Sequence, residues 1–122
     1  MIGYATIGTN NLEKATEFYD KVLGTLGGKR TMGFDRMQFY GGPGGQSMLA
    51  VCKPYDEKPA TAGNGSMFGI PAAEKSDVDA AHAAALAAGG TCEGPPGQRL
   101  ENFYGAYFRD LDGNKLCVFK MG

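Results

Sequence analysis

Apolar residues recur at helical spacing in two stretches of the chain. The first stretch begins after two asparagines and places its apolar side chains on one stripe: Leu12, Ala15, Tyr19, Val22, Leu23 and Leu26. This spacing predicts an amphipathic helix. Asn10 or Asn11 is expected to cap it, because a short polar side chain accepts hydrogen bonds from the free N–H groups of the first turn. Gly27-Gly28 is expected to end it.

The second helical stretch is rich in alanine. Ser76 and Asp79 have the spacing of a capping box and predict its start, and the pattern continues to Ala88. Gly89-Gly90 then ends the helix, as Gly27-Gly28 ends the first. Its predicted inner face carries Val78, Ala81, His82, Ala85 and Leu86.

Alternating apolar and polar residues predict eight short strands. The predicted strands are Tyr4–Gly8, Lys29–Phe34, Arg36–Tyr40, Ser47–Lys53, Ser66–Pro71, Thr91–Gly94, Tyr104–Asp110 and Lys115–Lys120. Hairpins are expected near Asp35 and across Asp112-Gly113, since Asp-Gly is a strong turn signal. Residues 95–103 contain Pro and Gly and are predicted to form a loop.

The order strand, helix, Gly-Gly and three strands therefore occurs twice. Module 1 covers about residues 1–53, residues 54–64 form a Pro-containing linker, and module 2 covers about residues 65–122. A chain of 122 residues fits one domain. We therefore predict a single α+β domain over residues 1–122, in which two tandem βαβββ modules form curved mixed sheets around a cleft. A cleft of this kind is a usual place for a small molecule.

The net charge and the cysteine content limit which binding partners and which cellular compartment we expect. The formal net charge is −1, so the chain has no electrostatic footprint for nucleic acid or for an anionic membrane. The N-terminal segment has neither a basic flank nor an apolar run, and it does not resemble a signal peptide. Three widely spaced cysteines fit a reducing compartment, so we expect the cytoplasm.

Four segments together resemble the vicinal oxygen chelate superfamily, which includes glyoxalase I, bleomycin-resistance proteins and extradiol dioxygenases. In chain order, these segments are ATIGTNNLEKATEFYDKVLGTLGG, NGSMFGI, VDAAHAAALAAGGT and YGAYFRDLDGNKLCVF. The resemblance implies paired βαβββ modules, a homodimer, and a divalent metal held by His and Glu side chains in the cleft. It leaves open whether modules pair within one chain or between two chains.

The usual metal ligands of that superfamily are missing from the matching positions. The resemblance puts Tyr4 and Met67 where a His is usual, Cys117 where a Glu is usual, and no Asp, Glu or His in residues 41–53. The chain has a single histidine, His82, and a catalytic metal site needs about three donors of this kind. We therefore predict no metal and no other cofactor.

Strand alternation predicts which side chains line the cleft, because successive residues of a strand point to opposite faces. The predicted lining is Tyr4, Met67, Tyr107, Cys117 and Phe119. Arg36, Gln38 and Tyr40 are expected to add polar groups from module 1. For an anionic ligand the candidate cations are Arg36 and Arg99, the latter in a loop that could close over the cleft.

Three of the candidate residues also have a possible structural role. Tyr4 is either a ligand contact or a filler of the space that a metal occupies in relatives. Cys117 is expected to be an inert packing residue, since no cation is evident near it. His82 is expected to pack on its helix, and a single histidine supports no Cys–His pair.

The sequence is compatible with three functions. The leading one is binding of a small apolar or aromatic molecule without a metal, for which the bleomycin-resistance proteins are the precedent in the family. The alternative is a metal-dependent lyase of the lactoylglutathione-lyase type, or a dioxygenase, with a rearranged site. The third is an interaction protein whose cleft has lost its ligand.

Overall fold

Two helices and eight strands follow each other in the predicted order. The computed structural model describes all 122 residues, Met1–Gly122. The elements are β1 (Tyr4–Gly8), α1 (Leu12–Gly24), β2 (Lys29–Phe34), β3 (Met37–Gly41), β4 (Met48–Cys52), β5 (Phe68–Pro71), α2 (Lys75–Ala87), β6 (Thr91–Leu100), β7 (Phe103–Arg109) and β8 (Lys115–Met121). The predicted α+β class with tandem βαβββ units is confirmed.

The strands form two four-stranded mixed sheets. The first has the order β1-β4-β3-β2 and the second the order β5-β8-β7-β6, so the topology of the first sheet is repeated in the second. In each sheet the strand before the helix pairs in parallel with the last strand of the unit, and the other pairs are antiparallel. A parallel pair needs a long crossover connection, and here it contains the helix.

Helix α1 has an asparagine N-cap, as the sequence predicts. Of the two candidates, Asn10 and Asn11, the cap is Asn11. The Asn11 side chain accepts a hydrogen bond from the backbone N–H of Lys14 at 3.1 Å. At the other end, the Gly28 N–H donates to the carbonyl of Leu23 at 2.8 Å. Gly27 makes this turn with a φ of 81°, in the left-handed region that glycine adopts without a steric penalty.

Helix α2 begins two residues earlier than predicted. Its capping box is formed by Glu74 and Asp77, whose side chains bond each other's backbone N–H groups, so the assignment of the cap to Ser76 is wrong. The inner face is confirmed for Val78, Ala81, His82 and Ala85, which are all buried. It is wrong for Leu86, which is 40% exposed.

Strand β6 is the main departure from the sequence prediction. Residues 95–100 continue the strand to Leu100, where a loop over 95–103 is predicted. The strand lies at the edge of the second sheet, and its pairing with β7 is interrupted by register shifts around Gly94 and Gly97. Pro95 and Pro96 are tolerated there because an edge strand does not need every N–H group for its ladder.

One continuous core joins the two units. It takes Ile7, Tyr40 and Val51 from the first sheet, Phe108, Leu116 and Val118 from the second, and the inner faces of both helices. Neither α1 nor α2 has the length and hydropathy of a membrane-spanning segment.

A buried polar network ties the turn between β7 and β8 to the first unit. The carboxyl of Asp110 accepts hydrogen bonds from the Tyr19 hydroxyl at 2.6 Å and from the Asn114 side chain at 2.9 Å. The same Asn114 amide lies 2.9 Å from the carbonyl of Gly8, at the end of β1. Burial, followed by the neighbouring Asp110, raises the pKa of Tyr19 well above its usual value, so the phenol stays neutral and keeps donating.

Candidate functional site

The face of the second sheet that points away from the helices carries three of the residues that alternation selects. Leu116 and Val118 lie in the core, so their neighbours Cys117 and Phe119 point to the opposite face. The register pairs Tyr107 directly with Cys117, as the hairpin prediction requires. This part of the alternation pattern is confirmed, while a role for these side chains in binding stays a prediction.

Two aromatic rings stack on each other on this face. Phe103 and Phe119 stack with ring centroids 5.3 Å apart and an angle of 12° between their planes. They occupy space left by glycines: a Cβ on Gly69 would lie 3.3 Å from the Phe119 ring, and one on Gly105 would lie 2.8 Å from the Phe103 ring. The absence of side chains at both glycines therefore leaves room for the two rings to lie close to the sheet.

Tyr107 stands beside two cations. The Arg99 guanidinium lies 5.6 Å and the Lys115 ammonium 5.7 Å from the centre of its ring, within the range of a cation–π contact. Burial, followed by the adjacent Cys117 thiol, raises the pKa of Tyr107. The hydroxyl is therefore protonated at neutral pH and can donate a hydrogen bond.

Cys117 has the cationic neighbours that the sequence did not reveal. Arg99 and Lys115 both favour its thiolate, but burial is the largest effect and raises the pKa of Cys117. The expectation that no cation lies near this cysteine is wrong. The expectation of an unreactive thiol at neutral pH still fits, because the protonated form is favoured.

Arg99 belongs to β6 and not to a closing loop. Its guanidinium donates to the carbonyl of Pro95 and lies close over Gly97, where a Cβ would be 2.7 Å from one of its nitrogens. The side chain is therefore folded back along its own strand, next to Tyr107. A charged donor is held over the face without any movement of the backbone.

The first sheet presents a separate aromatic group on its own outer face. Tyr4 is 58% exposed and meets the edge of Phe39 at 5.3 Å, and Phe34 meets the same ring at 6.3 Å. The structure does not bring Tyr4 into contact with Tyr107, and no strand of one sheet pairs with a strand of the other. The two phenols therefore lie on separate faces within one chain.

The polar residues expected from module 1 lie elsewhere. Tyr40 is in the core, with its hydroxyl 2.8 Å from Asp20 of α1, so it lies on the helix side of its sheet and not on the face of Tyr4, where alternation was expected to place it. Gln38 shares that side of β3 and donates to the carbonyl of Met32, so it is wrongly assigned too. Arg36 donates to the carbonyl of Lys53 and lies over the Tyr55 ring at 5.2 Å, at a polar hollow beside the linker.

Met67 lies apart from the other predicted site residues, in a cleft between the two units. This cleft has a volume of about 580 Å³ and runs from the end of α1 to β5. Its lining is half apolar, with Ile2, Leu26, Met48 and Ile70 among its members. Of the other residues that we predict at the cleft, only Tyr40 also lines it.

The chain offers no fitting donor set for the divalent metal that the resemblance implies. No group of three or more His, Cys, Asp and Glu side chains is placed so as to hold an ion. In the implied positions stand the exposed phenol of Tyr4, the thioether of Met67 and the protonated thiol of Cys117. A hard divalent cation prefers carboxylate, imidazole or water ligands, so these residues do not fit it.

Tandem βαβββ units, each with one helix on one side of its sheet, define a class of paired-module α+β proteins. Residues 1–118 match the family model of the Glyoxalase/Bleomycin resistance protein/Dioxygenase superfamily, and the chain belongs to this superfamily. The resemblance inferred from the sequence is thereby confirmed.

Solved structures agree with this assignment. A glyoxalase/bleomycin resistance protein from Albidiferax ferrireducens T118 is 41% identical, with a TM-score of 0.92 over 100% of this chain and 99% of that one. A lactoylglutathione lyase from Agrobacterium tumefaciens is 22% identical, with a TM-score of 0.72 over 98% of this chain and 92% of that one, which shows the fold alone. No curated protein sequence matches the chain.

Proposed function

We propose that the protein binds a small, partly aromatic molecule on the outer face of its second sheet, without a metal. The observation that carries the proposal is the row formed by the Phe103–Phe119 stack, Tyr107 and Arg99 on that face. Flat rings offer stacking area, and the neighbouring phenol and guanidinium offer hydrogen bonds at one end.

The chemistry of this row favours a ligand with a ring and an oxygen acceptor. A ring stacked on an aromatic pair gains about 0.5–1.5 kcal/mol beyond the burial of its area. The Tyr107 hydroxyl and the Arg99 guanidinium are both donors, so the polar end of the ligand should be a carbonyl or a carboxylate. Tyr4, Met67 and Arg36 stay predicted ligand contacts. They lie away from this face, so a ligand bound beside Tyr107 would not touch them.

The first test is a thermal-shift screen with aromatic carboxylates and aromatic ketones, each with and without EDTA. A compound at a hundred times its Kd should stabilise the fold by about 2.7 kcal/mol, because it binds only the native state. We expect the same shift in EDTA. A shift that needs an added divalent metal, or about one bound metal per chain by elemental analysis, would replace the proposal with a metal-dependent lyase or dioxygenase.

Two matched tyrosine variants then locate the site for any compound found. Tyr107→Phe should weaken its binding by about 0.5–1.5 kcal/mol, the net value of one neutral hydrogen bond. Tyr104→Phe is the control, because this hydroxyl lies on the same strand but donates to Asp79 of α2 at 2.6 Å. Equal affinities of both variants and the unaltered chain, measured by titration calorimetry, would exclude this face.

We also propose a homodimer, in which a second copy covers the aromatic group on the first sheet. The exposed rings of Tyr4 and Phe34 support this, since contiguous apolar surface marks interfaces. Phe34→Lys should shift the chain from dimer to monomer in sedimentation velocity, whereas Tyr55→Lys, at the exposed linker, should not. Monomeric unaltered protein at micromolar concentration would contradict the dimer.

The three cysteines support a location in the reducing cytoplasm. None of them forms a disulfide, and two are buried. In an oxidising compartment, exposed thiols are normally paired.

A further inference from the structure

A cysteine and the single histidine meet on the side of the second sheet that faces α2. The Nε2 atom of His82 lies 3.2 Å from the Sγ atom of Cys92, although the sequence predicted no such pair. Cys92 pairs with the buried Phe108 in the sheet, which directs its side chain toward the helix. The pair is therefore on the opposite face from Tyr107 and the proposed ligand.

The connection between α2 and β6 fixes the two side chains relative to each other. The Gly90 N–H donates to the carbonyl of Ala85 at 2.8 Å. A Cβ on Gly90 would lie 2.7 Å from the carbonyl oxygen of Arg109 and 2.9 Å from that of Ala85. The backbone is thus tightly packed between the helix and the strand, and this packing holds Cys92 against the middle of the helix, at His82.

His82 is suited to accept a proton. The residue is only 6% exposed, and Cys92 is the sole hydrogen-bond partner of its ring. Since no buried side-chain nitrogen lacks a partner, its other nitrogen, Nδ1, contacts solvent. Burial lowers the pKa of His82 and the carboxylate of Asp79 opposes this, so the ring is neutral at pH 7.

Cys92 differs from the other two cysteines in its accessibility. Cys92 is exposed, whereas Cys52 and Cys117 are buried. The neighbouring charges balance each other, because Glu93 on β6 pairs with Arg109 on β7 at 3.4 Å. Asp79 on α2 is in turn occupied by the Tyr104 hydroxyl. The His82 imidazole is therefore the neighbouring group that sets the chemistry of the Cys92 thiol apart from that of the other two cysteines.

We propose that Cys92 and His82 form a nucleophilic thiol–imidazole pair that exchanges reversibly with small disulfides. His82 takes the proton of the Cys92 thiol as the sulfur attacks one sulfur of the disulfide. A new S–S bond forms to Cys92, the S–S bond of the reagent breaks, and its second half leaves as a thiolate, which receives the proton. A free thiol reverses the step, so the modification follows the thiol–disulfide balance around the protein.

The test uses dithiodipyridine, a neutral disulfide whose released thiopyridone is followed by absorbance. The native protein should release one equivalent in a fast phase, and peptide mass mapping should place the adduct on Cys92. Cys92→Ser should abolish the fast phase. A fast phase that maps to Cys52 or Cys117 would overturn the proposal.

The role of His82 is tested by the pH profile of the fast phase. His82→Gln keeps a polar side chain that reaches toward the sulfur but removes the base. It should slow the reaction about tenfold at pH 7 and leave it unchanged near pH 10, where hydroxide in solution takes over the role of the base. If the variant fails to fold, the unaltered chain is compared in buffer and in urea, where contact with His82 is lost. Coincident pH profiles in either comparison would overturn the pairing.

Discussion

Asp110→Ala should lower the free energy of unfolding by about 3–5 kcal/mol, because it leaves several buried donors without an acceptor. The carboxyl of Asp110 accepts from the Tyr19 hydroxyl, the Asn114 side chain, and the backbone N–H groups of Asp112 and Asn114, at 2.6–2.9 Å. The network also connects α1 to the turn between β7 and β8. Urea unfolding followed by circular dichroism measures the loss.

Asp112→Ala is the matched control for this variant. It removes the same chemical group two residues further on, but its carboxylate accepts one exposed hydrogen bond, from the N–H of Asn10 at 2.9 Å. We expect a cost below about 1 kcal/mol. Similar losses for the two aspartates would mean that the buried network contributes little to the union of the two modules.

Leu116→Ala should cost about 2–5 kcal/mol of unfolding free energy, since it leaves a cavity in the core. Leu116 is fully buried on β8, between β5 and β7 in the second sheet. The packed neighbours of a fully buried leucine relax only in part, so the lost contacts are not fully replaced. The midpoint of urea unfolding should fall while the slope stays the same.

Leu100→Ala is the matched control, because it removes the same side chain from an exposed position. Leu100 lies at the end of β6 and is 66% exposed. Its truncation should change the stability by no more than about 0.5 kcal/mol. An equal loss at both leucines would place the stabilising core elsewhere than in the second sheet.

Local patterns in the sequence were sufficient for the repeated fold. The stripe on α1 and its Asn11 cap depend on neighbours three and four residues away, and such spacing is visible in one chain. The sequence does not single out the cap of α2, because Glu74–Asp77 and Ser76–Asp79 share the same spacing. Strand β6 was cut short because Pro95 and Pro96 usually end a strand, and only the sheet topology reveals that this strand is an edge.

The candidate site was less accessible to sequence reasoning, since it depends on contacts across the fold. Alternation selected Tyr107 and Cys117 correctly as neighbours, yet it could not place Arg99 over them. The Cys92–His82 pair had one visible signal: His82 was on the predicted inner face of α2, and the Gly89-Gly90 turn returns the chain along that face. The sequence pattern does not predict how close the Cys92 sulfur and the His82 ring nitrogen come to each other.

The prolines of β6 also decide how copies of this chain can aggregate. An open sheet edge is a template on which a further strand can add, and repeated addition leads to fibrils. At β6 an incoming strand would meet two residues without N–H donors, Pro95 and Pro96, and a ladder already irregular around Gly94 and Gly97. Growth of a cross-β fibril at this edge is therefore opposed by the chain itself, so that strand addition is directed to the other three edges, β1, β2 and β5.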